Sequence, residues 1–209
     1  MNLLKIHPDL LGNAGLMLMA QTGQALERIP ARGRARLYHR PDGKTVRLYC
    51  SNDRILIGRA ESADPDAKLK MEEGADFLLL VMPKTKRTPG PVEAYLVPMA
   101  IAAAAVKDAH RIWRAASPDK HSQNLARNLW FDKDGPPMSD DYASKWSAYR
   151  LPGSIAVKAS AAKEAALAQQ HLNGKSENKL GDVIAAARAQ IAAAAGVSPD
   201  AVKISVDLN

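Results

Sequence analysis

The sequence offers little for disulfide, zinc or thiol chemistry. Only one cysteine, Cys50, occurs among 209 residues, which excludes an internal disulfide and a zinc site built from several cysteines. A chain of this kind is typical of a reducing compartment, and we expect a cytoplasmic protein. Cys50 lies in a β-like run, where we expect it to act as a small apolar core residue.

Long hydrophobic runs are also absent. The longest apolar stretches, residues 16–20 and 77–82, are far shorter than the ~20 residues that span a bilayer. The N-terminal segment carries Lys5, His7 and Asp9, whereas a signal peptide requires an unbroken apolar region. The sequence therefore predicts neither a membrane partner nor an export signal.

Familiar catalytic and cofactor signatures are missing too. The chain has no phosphate-cradling glycine loop and no glycines flanking a nucleophilic serine. Its five histidines lack the spacing of metal ligands. We therefore predict no cofactor and no bound metal.

The apolar pattern predicts an α+β fold. A helix is expected over residues 13–29, with Asn13 as its cap and Pro30 as its stop, and a long helix is expected over Met99–Ala116. About five strands should form a mostly antiparallel sheet on which the long helix packs. The first three form a meander, and the fourth is apolar on both faces and therefore central. The predicted strands are residues 34–39, 44–50, 54–59, 76–82 and 92–97.

The composition divides the chain into three parts. Residues 1–153 form the main domain, and Tyr142, Trp146 and Tyr149 share one face of a short helix packed on its core. Residues 154–181 read as a linker, because they are rich in Ala, Lys and Gln and contain no aromatic residue. Residues 182–209 predict a small helix and strand that cannot form an independent core. This appendage must dock onto the main domain, onto a second copy or onto a partner.

Positive charge is concentrated near the N-terminus. The net charge is +7, and residues 1–60 hold ten Lys and Arg residues against four Asp and Glu residues. A local basic region attracts polyanions at long range, although it also serves simply to keep a surface solvated. Arginine dominates it, which favours a nucleic-acid partner.

The hairpin around Pro41-Asp42-Gly43 is the first candidate interface. If Arg40 pairs with Thr45, strand alternation places Arg and Tyr side chains together on one face and apolar side chains on the other. A type I turn with a Gly43 bulge would instead pair Arg40 with Lys44. We favour the first register, because the second puts Leu48 on the face of Arg36. The predicted interface face comprises Arg34, Arg36, Tyr38, Arg40, Thr45, Arg47 and Tyr49. Its alternative role is an outer sheet face on which Arg and Tyr cover each other.

The long helix carries a second basic stripe. Lys107, Arg111 and Arg114 lie at helical spacing, with Ile101 and Ile112 on the side expected to be buried. Cations near a helix C-terminus also suit its dipole, so the stripe has a purely structural explanation.

Two further segments could contribute to binding. The turn with Lys84, Lys86 and Arg87 is a weaker basic patch that reads as a solvated loop. The region of Trp130 and Phe131 could form a ligand pocket or a base-stacking lip, and core packing of Trp130 is the preferred interpretation.

The order of elements resembles one known superfamily. A helix, a β-meander, an apolar strand, a further strand and a helix look like the restriction-endonuclease-like superfamily, whose motif is PD-(D/E)XK. The letters occur here as Pro41-Asp42 and Asp66-Ala67-Lys68, and the likeness spans residues 13–116 at most. It implies that Asp42 and Asp66 would hold a divalent metal while Lys68 helps activate water. Because the two acids fall in a turn and a loop, the residues favour a binder that has lost this active site.

We therefore predict a non-enzymatic nucleic-acid-binding protein, with DNA favoured over RNA, that is regulatory or accessory to DNA processing. One alternative is an interaction module that assembles as a homo-oligomer through residues 182–209 and holds an acidic protein partner. The other is a metal-dependent nuclease that uses Asp42, Asp66 and Lys68.

Overall fold

The computed structural model describes residues 6–30, 36–117, 125–133 and 140–158. The chain divides into two units, Met1–Ser160 and Ala161–Asn209, and every described residue belongs to the first. The predicted appendage at 182–209, with its assembly role, lies outside the described residues, as does most of the predicted linker.

The described residues form an α+β unit, as the sequence predicts. Six strands form the main sheet in the order β1-β2-β3-β5-β6-β8, and β4 and β7 form a second sheet, so the strands exceed the five expected. Three helices accompany them in this part of the chain. The elements are α1 (Pro8–Gln21), β1 (Glu27–Ile29), β2 (Leu37–His39), β3 (Thr45–Cys50), β4 (Ile55–Arg59), β5 (Phe77–Pro83), β6 (Gly90–Pro98), α2 (Met99–Ala116), β7 (Ala126–Trp130), α3 (Tyr142–Lys145) and β8 (Ile155–Val157).

The main sheet is mostly antiparallel, with one exception. β3 and β5 run parallel, whereas β1–β2, β2–β3, β5–β6 and β6–β8 are antiparallel. The meander predicted for the first three strands is wrong at its third strand. β4 leaves the main sheet and pairs with β7, since β5 occupies the edge of β3 that β4 would have used.

Both faces of the main sheet are buried. Alternate residues of β5 enter two different cores: Leu79 and Val81 pack with α1, while Leu78 and Leu80 pack with α2 and with β4 and β7. The prediction of a central strand apolar on both faces is therefore confirmed. A continuous apolar run is what a strand covered on both sides requires.

Helix α1 starts earlier and ends earlier than residues 13–29. Pro8 occupies the first helical positions, where its missing N–H costs nothing, and the His7 ring accepts a hydrogen bond from the Asp9 N–H at 3.3 Å. Gly23, with φ +76°, ends the helix in a Schellman arrangement, since its N–H donates to Ala20 O and Gln24 N–H donates to Met19 O. The chain then forms β1 within the segment that was predicted to be helical.

Helix α2 has the predicted bounds but not the predicted orientation. Ile101 and Ile112 are exposed, at 39% and 55%, instead of buried. The buried side carries mainly small residues, Ala102, Ala103, Val106 and Ala109, together with His110. Alanines let the helix approach the sheet closely, so small size and not hydrophobicity marks the inner face.

The short helix α3 packs on the core as expected, but it ends at Lys145, and Tyr149, which was predicted on the same helix face, lies in a separate 3-10 turn and is only partly buried. Tyr142 and Trp146 are buried and meet Phe131 in a cluster of edge-on rings, with the centroids of Phe131 and Trp146 5.9 Å apart. Among the described helices, none has both the length and the apolar character needed to cross a lipid bilayer.

Candidate functional site

The β2–β3 hairpin adopts the register that we rejected from the sequence. Leu37 lies opposite Arg47, and the Arg40 N–H donates to Lys44 O at 2.8 Å. Gly43 takes the bulge position with φ +79°, a conformation that glycine adopts without strain. The preference for the other register, which pairs Arg40 with Thr45, assumed that one face of the sheet is exposed to solvent. Both faces of this sheet are instead covered.

This register separates the arginines that were predicted to act together. Arg36 leaves the sheet on the face covered by α1, where it donates to Pro8 O at 3.4 Å and pairs with the Asp9 carboxylate. Arg47 leaves on the opposite face and donates to Glu73 O at 2.7 Å. The expectation of a single guanidinium face on this hairpin is therefore wrong.

Three further members of that predicted face are also engaged within the fold. Tyr38 is buried in the core beneath α1. The Tyr49 hydroxyl accepts the Ile57 N–H at 3.2 Å, and burial raises the pKa of that phenol. Arg40 pairs with Asp42 at 3.1 Å and lies 4.7 Å over the Phe77 ring. Arg34 falls outside the described residues.

The stripe on helix α2 is largely paired with carboxylates. Lys107 lies 3.4 Å from Glu72, and Arg111 bonds both Asp66 and Asp108. The hydrogen bond that Arg111 donates to Asp66 raises the pKa of the Arg111 guanidinium. For Arg114, no ion pair forms with a carboxylate of the described residues.

The three residues of the nuclease motif have separate local partners. Asp42 pairs with Arg40 and accepts the Lys44 N–H at 3.1 Å, within its own turn. Asp66 is held by Arg111, so a metal ion there would have to displace a guanidinium. Lys68 is exposed. In the described ranges, no three His, Cys, Asp or Glu side chains are grouped so that they could hold a metal ion.

A cleft of about 510 Å³ opens at the end of the two sheets. Three segments distant in the sequence form it: the loop before β4, the turn between β5 and β6, and the chain after β7 with the start of α3. We call it the Trp130 cleft. It is lined by Asp53, Arg54, Lys84, Thr85, Lys86, Trp130, Phe131, Asp132, Lys133, Asp141 and Ala143.

Three exposed lysines and a partly exposed ring line this cleft together. The Lys86 Nζ lies 5.7 Å from the centroid of the Trp130 ring, within cation–π range. Lys84 and Lys133 line the same space. Unlike Arg36 and Arg40, none of the three lysines has an ion-pair partner among the carboxylates of the described residues.

The acidic side chains of the cleft are already engaged. Asp53 binds Arg87, and Asp132 accepts from Arg54 Nε at 2.6 Å. Asp141 caps α3 by accepting the Ser144 N–H at 3.0 Å, and its hydrogen bonds with Ser144 lower the pKa of this carboxyl. Lys84 and Lys86 therefore have no ion-paired carboxylate among the described residues, whereas the positive charge of Lys133 also helps to lower the pKa of the Asp141 carboxyl.

The basic turn is fixed to the wall of the Trp130 cleft. The Arg87 N–H donates to Asn52 O at 2.9 Å, and the Arg87 guanidinium binds the neighbouring Asp53. Arg87 and Arg54 have φ of +53° and +54°, a left-handed conformation that is uncommon for arginine. Strained backbone of this kind concentrates at binding and catalytic sites, because the surrounding contacts must hold it in place.

A buried charge network supports the cleft from below. Arg54 is 6% exposed, lies 5.4 Å from the Phe131 ring centroid and donates to Pro83 O at 2.7 Å. Its Nη1 also lies 3.3 Å from Glu93, whose other oxygen is 3.1 Å from Arg150. These contacts fix the Arg54 side chain between the ends of β4, β5 and β6.

Sequence reasoning had noted two parts of the Trp130 cleft separately. The turn with Lys84 and Lys86 was interpreted as a solvated loop, and Trp130 as a core residue. The structure buries the neighbouring Phe131 and leaves Trp130 at the surface under Lys86. The roles of Arg54 and Lys133 were missed, and only the unusual run of charges at residues 132–133 beside two rings could have indicated them.

No protein-family model, curated protein or solved structure matches this chain.

Proposed function

We propose that the protein binds nucleic acid, without a reaction of its own, and that the Trp130 cleft is its main contact surface. The observation that supports this is the group of three exposed lysines around a partly exposed tryptophan ring. Lysine ammonium groups bind phosphate oxygens, and aromatic rings stack on bases. Both kinds of group are offered side by side within about 510 Å³.

The cleft suits phosphate better than the hairpin or helix α2 does. At Arg36, Arg40 and Arg111, a phosphate would have to replace an intramolecular carboxylate. At Lys84, Lys86 and Lys133 no ion-paired carboxylate of the described residues would have to be replaced, although the Lys86 contact with the Trp130 ring would have to adjust. Release of counterions is the main driving force of protein–nucleic acid association.

The overall charge supports the same partner class. The net charge of +7 attracts polyanions before contact is made and so raises the association rate. We keep DNA as the expected partner over RNA, because the superfamily that the chain resembles acts on DNA. A nuclease reaction is not part of the proposal, since Asp66 is held by Arg111 and Asp42 by Arg40.

A salt titration tests this function. The full chain is titrated with duplex DNA, single-stranded DNA and RNA between ~50 and 200 mM salt. In a variant in which Lys84, Lys86 and Lys133 are all changed to Gln, we expect weaker binding. We also expect a salt slope that is smaller by about 2 to 3, because each of the three phosphate contacts contributes about 0.7 to 0.9.

The control removes the same charge elsewhere. Lys44, Lys68 and Lys70 are exposed and form no ion pair within the described part of the chain. Changing these three to Gln should leave affinity and slope close to those of the parent protein. The proposal is refuted if no nucleic acid binds at 50 mM salt, or if both triple variants lose affinity equally.

A further inference from the structure

The Trp130 cleft differs from a surface that tracks only a phosphate backbone. A backbone-binding surface needs positive charge alone, whereas this one also contains a partly exposed tryptophan ring beside the Lys86 ammonium group. The volume of about 510 Å³ lies in the range of ~300 to 1,000 Å³ typical of small-ligand pockets. It is suited to one base with its sugar and phosphate.

The position of Trp130 argues against a paired base as the ligand. Duplex DNA keeps its bases stacked inside and is read by elements that enter its grooves. Trp130 instead lies in a concave site, between the turn that carries Lys86 and the segment that carries Lys133. A base can reach its ring only when it is unpaired and turned out of a stack.

The backbone around the site is anchored on two sides, which lowers the cost of binding. The turn that carries Lys84 and Lys86 is joined to the opposite loop through Arg87, by its N–H to Asn52 O and by its guanidinium to Asp53. On the floor, Arg54 is fixed by Asp132, Pro83 and Glu93. Groups that are already ordered lose little entropy when a ligand arrives.

We infer that the Trp130 cleft binds a single unpaired nucleotide, with its base stacked on Trp130 and its phosphate held by Lys84, Lys86 and Lys133. This inference deepens the proposed function and rests on it. The shared ligand chemistry is an exposed base joined to a phosphate, and its source is either a single strand or a free nucleotide.

Tryptophan emission of the full chain provides the test. The probe is an oligothymidylate of about ten nucleotides, a length within the usual range of single-strand sites. Binding should quench the emission of the parent protein. Trp130→Phe should keep the affinity within about threefold but lose the quench, since a phenyl ring still stacks. Trp130→Ala should weaken binding by about 5- to 150-fold, from ~1 to 3 kcal/mol of stacking per base.

Trp113 supplies the matched control. It is a partly buried residue of α2 outside the cleft, so Trp113→Phe should retain the quench. If Trp130→Ala fails to fold, the Trp130→Phe emission still decides the question. Quenching that survives in Trp130→Phe would overturn the inference.

Two further arms separate the ligands. A duplex of the same length should not quench the emission of Trp130, and a duplex quench equal to that of the oligothymidylate would overturn the inference. Thymidine monophosphate should quench the tryptophan emission and compete with the oligothymidylate, whereas thymidine should do both far more weakly. Equal effects of the two ligands would show that the site does not bind the phosphate. Competition at micromolar monophosphate indicates a free nucleotide as the ligand, and competition only near millimolar indicates a strand.

The two proposals fail in different ways. If nucleic acid binds with a steep salt slope but Trp130 emission stays unchanged, the nucleotide site is wrong and the proposed function stands. If neither duplex nor single strands bind at all, the proposed function is wrong.

Discussion

Arg54 and Glu93 form a buried ion pair, with Nη1 and Oε2 3.3 Å apart and both residues under 10% exposed. Glu93 also accepts from the Tyr95 hydroxyl and pairs with Arg150. Burial, followed by the negative charge of Glu93, raises the pKa of Tyr95 to about 12. The carboxylate therefore joins β6 to the loop before β4 and to the segment after α3.

Removing that carboxylate should be costly. Glu93→Ala leaves Arg54 buried with less compensation, and loss of one partner of such a pair costs about 3 to 5 kcal/mol. In urea denaturation, Glu93→Ala should lose unfolding free energy near the lower end of this range, because Asp132 and Pro83 O still bind Arg54. Glu93→Gln, which keeps size and one hydrogen bond, should lose less. An unchanged midpoint in Glu93→Ala would show that the pair does not hold these segments together.

Gly15 should not tolerate a side chain. A Cβ added there would overlap the Val81 side chain, since α1 lies directly on β5 at this point. Gly15→Ala should destabilise the protein by about 1 to 3 kcal/mol, although alanine favours helix. Asn13→Ala, at an exposed position of the same helix, should not destabilise it. In the double variant with Val81→Ala, the two losses should be less than additive in denaturation experiments.

Arg87 should prefer glycine to alanine as its replacement. Both substitutions remove the side-chain contact with Asp53, so the difference in stability between the two variants reflects only the conformational preference of the backbone. Because φ is +53°, Arg87→Gly should be more stable than Arg87→Ala by about 1 kcal/mol in thermal unfolding. At Lys107, which lies inside α2, the alanine variant should instead be more stable than the glycine variant by a similar amount. If the same replacement, Gly or Ala, were the more stable one at both positions, the left-handed backbone conformation of Arg87 would be contradicted.

His110 should make the protein less stable in mild acid. The residue is 3% exposed, and burial, aided by the positive charges of Arg127 and Arg114, lowers the pKa of its imidazole to about 4. Between pH 6.5 and 4 the unfolded chain binds a proton that the folded chain rejects, so stability falls as pH falls through this window. The loss is on the order of 2 to 3 kcal/mol.

Urea titrations at pH 7, 6 and 5 measure this effect. His110→Gln removes the titrating group, so its stability should change less over the same interval. If the parent and His110→Gln lose stability in parallel, the carboxylates and not His110 account for the acid sensitivity.

Local signals in the sequence were sufficient for several elements. Helix α2 has the predicted bounds because Pro98 precedes it and Ser117 ends it, and β5 is central because its run is apolar throughout. Tyr142, the first residue of α3, and Trp146, directly after α3, are both buried as their spacing indicates. In each case the deciding residues are neighbours in the chain.

The hairpin register and the cleft required information that is not local. Alternation could not choose between registers, because both faces of β3 are covered, and Arg36 can share a face with Leu48 by reaching Asp9 at its rim. The cleft could not be foreseen because Lys86 and Trp130 meet only through the pairing of β4 with β7 and of β5 with β6. Those pairings depend on the whole fold.

Strand β8 also has a consequence for how the protein is made. It adds to the outer edge of β6, where Gly90 pairs with Val157 and Val92 with Ile155. Residues 155–157 are synthesised long after residues 90–92. Until they are made, β8 cannot cover the outer edge of β6. During that interval the nascent chain presents unpaired backbone donors and acceptors, which are a template for pairing with other chains. Premature termination before residue 155 would make that exposure permanent.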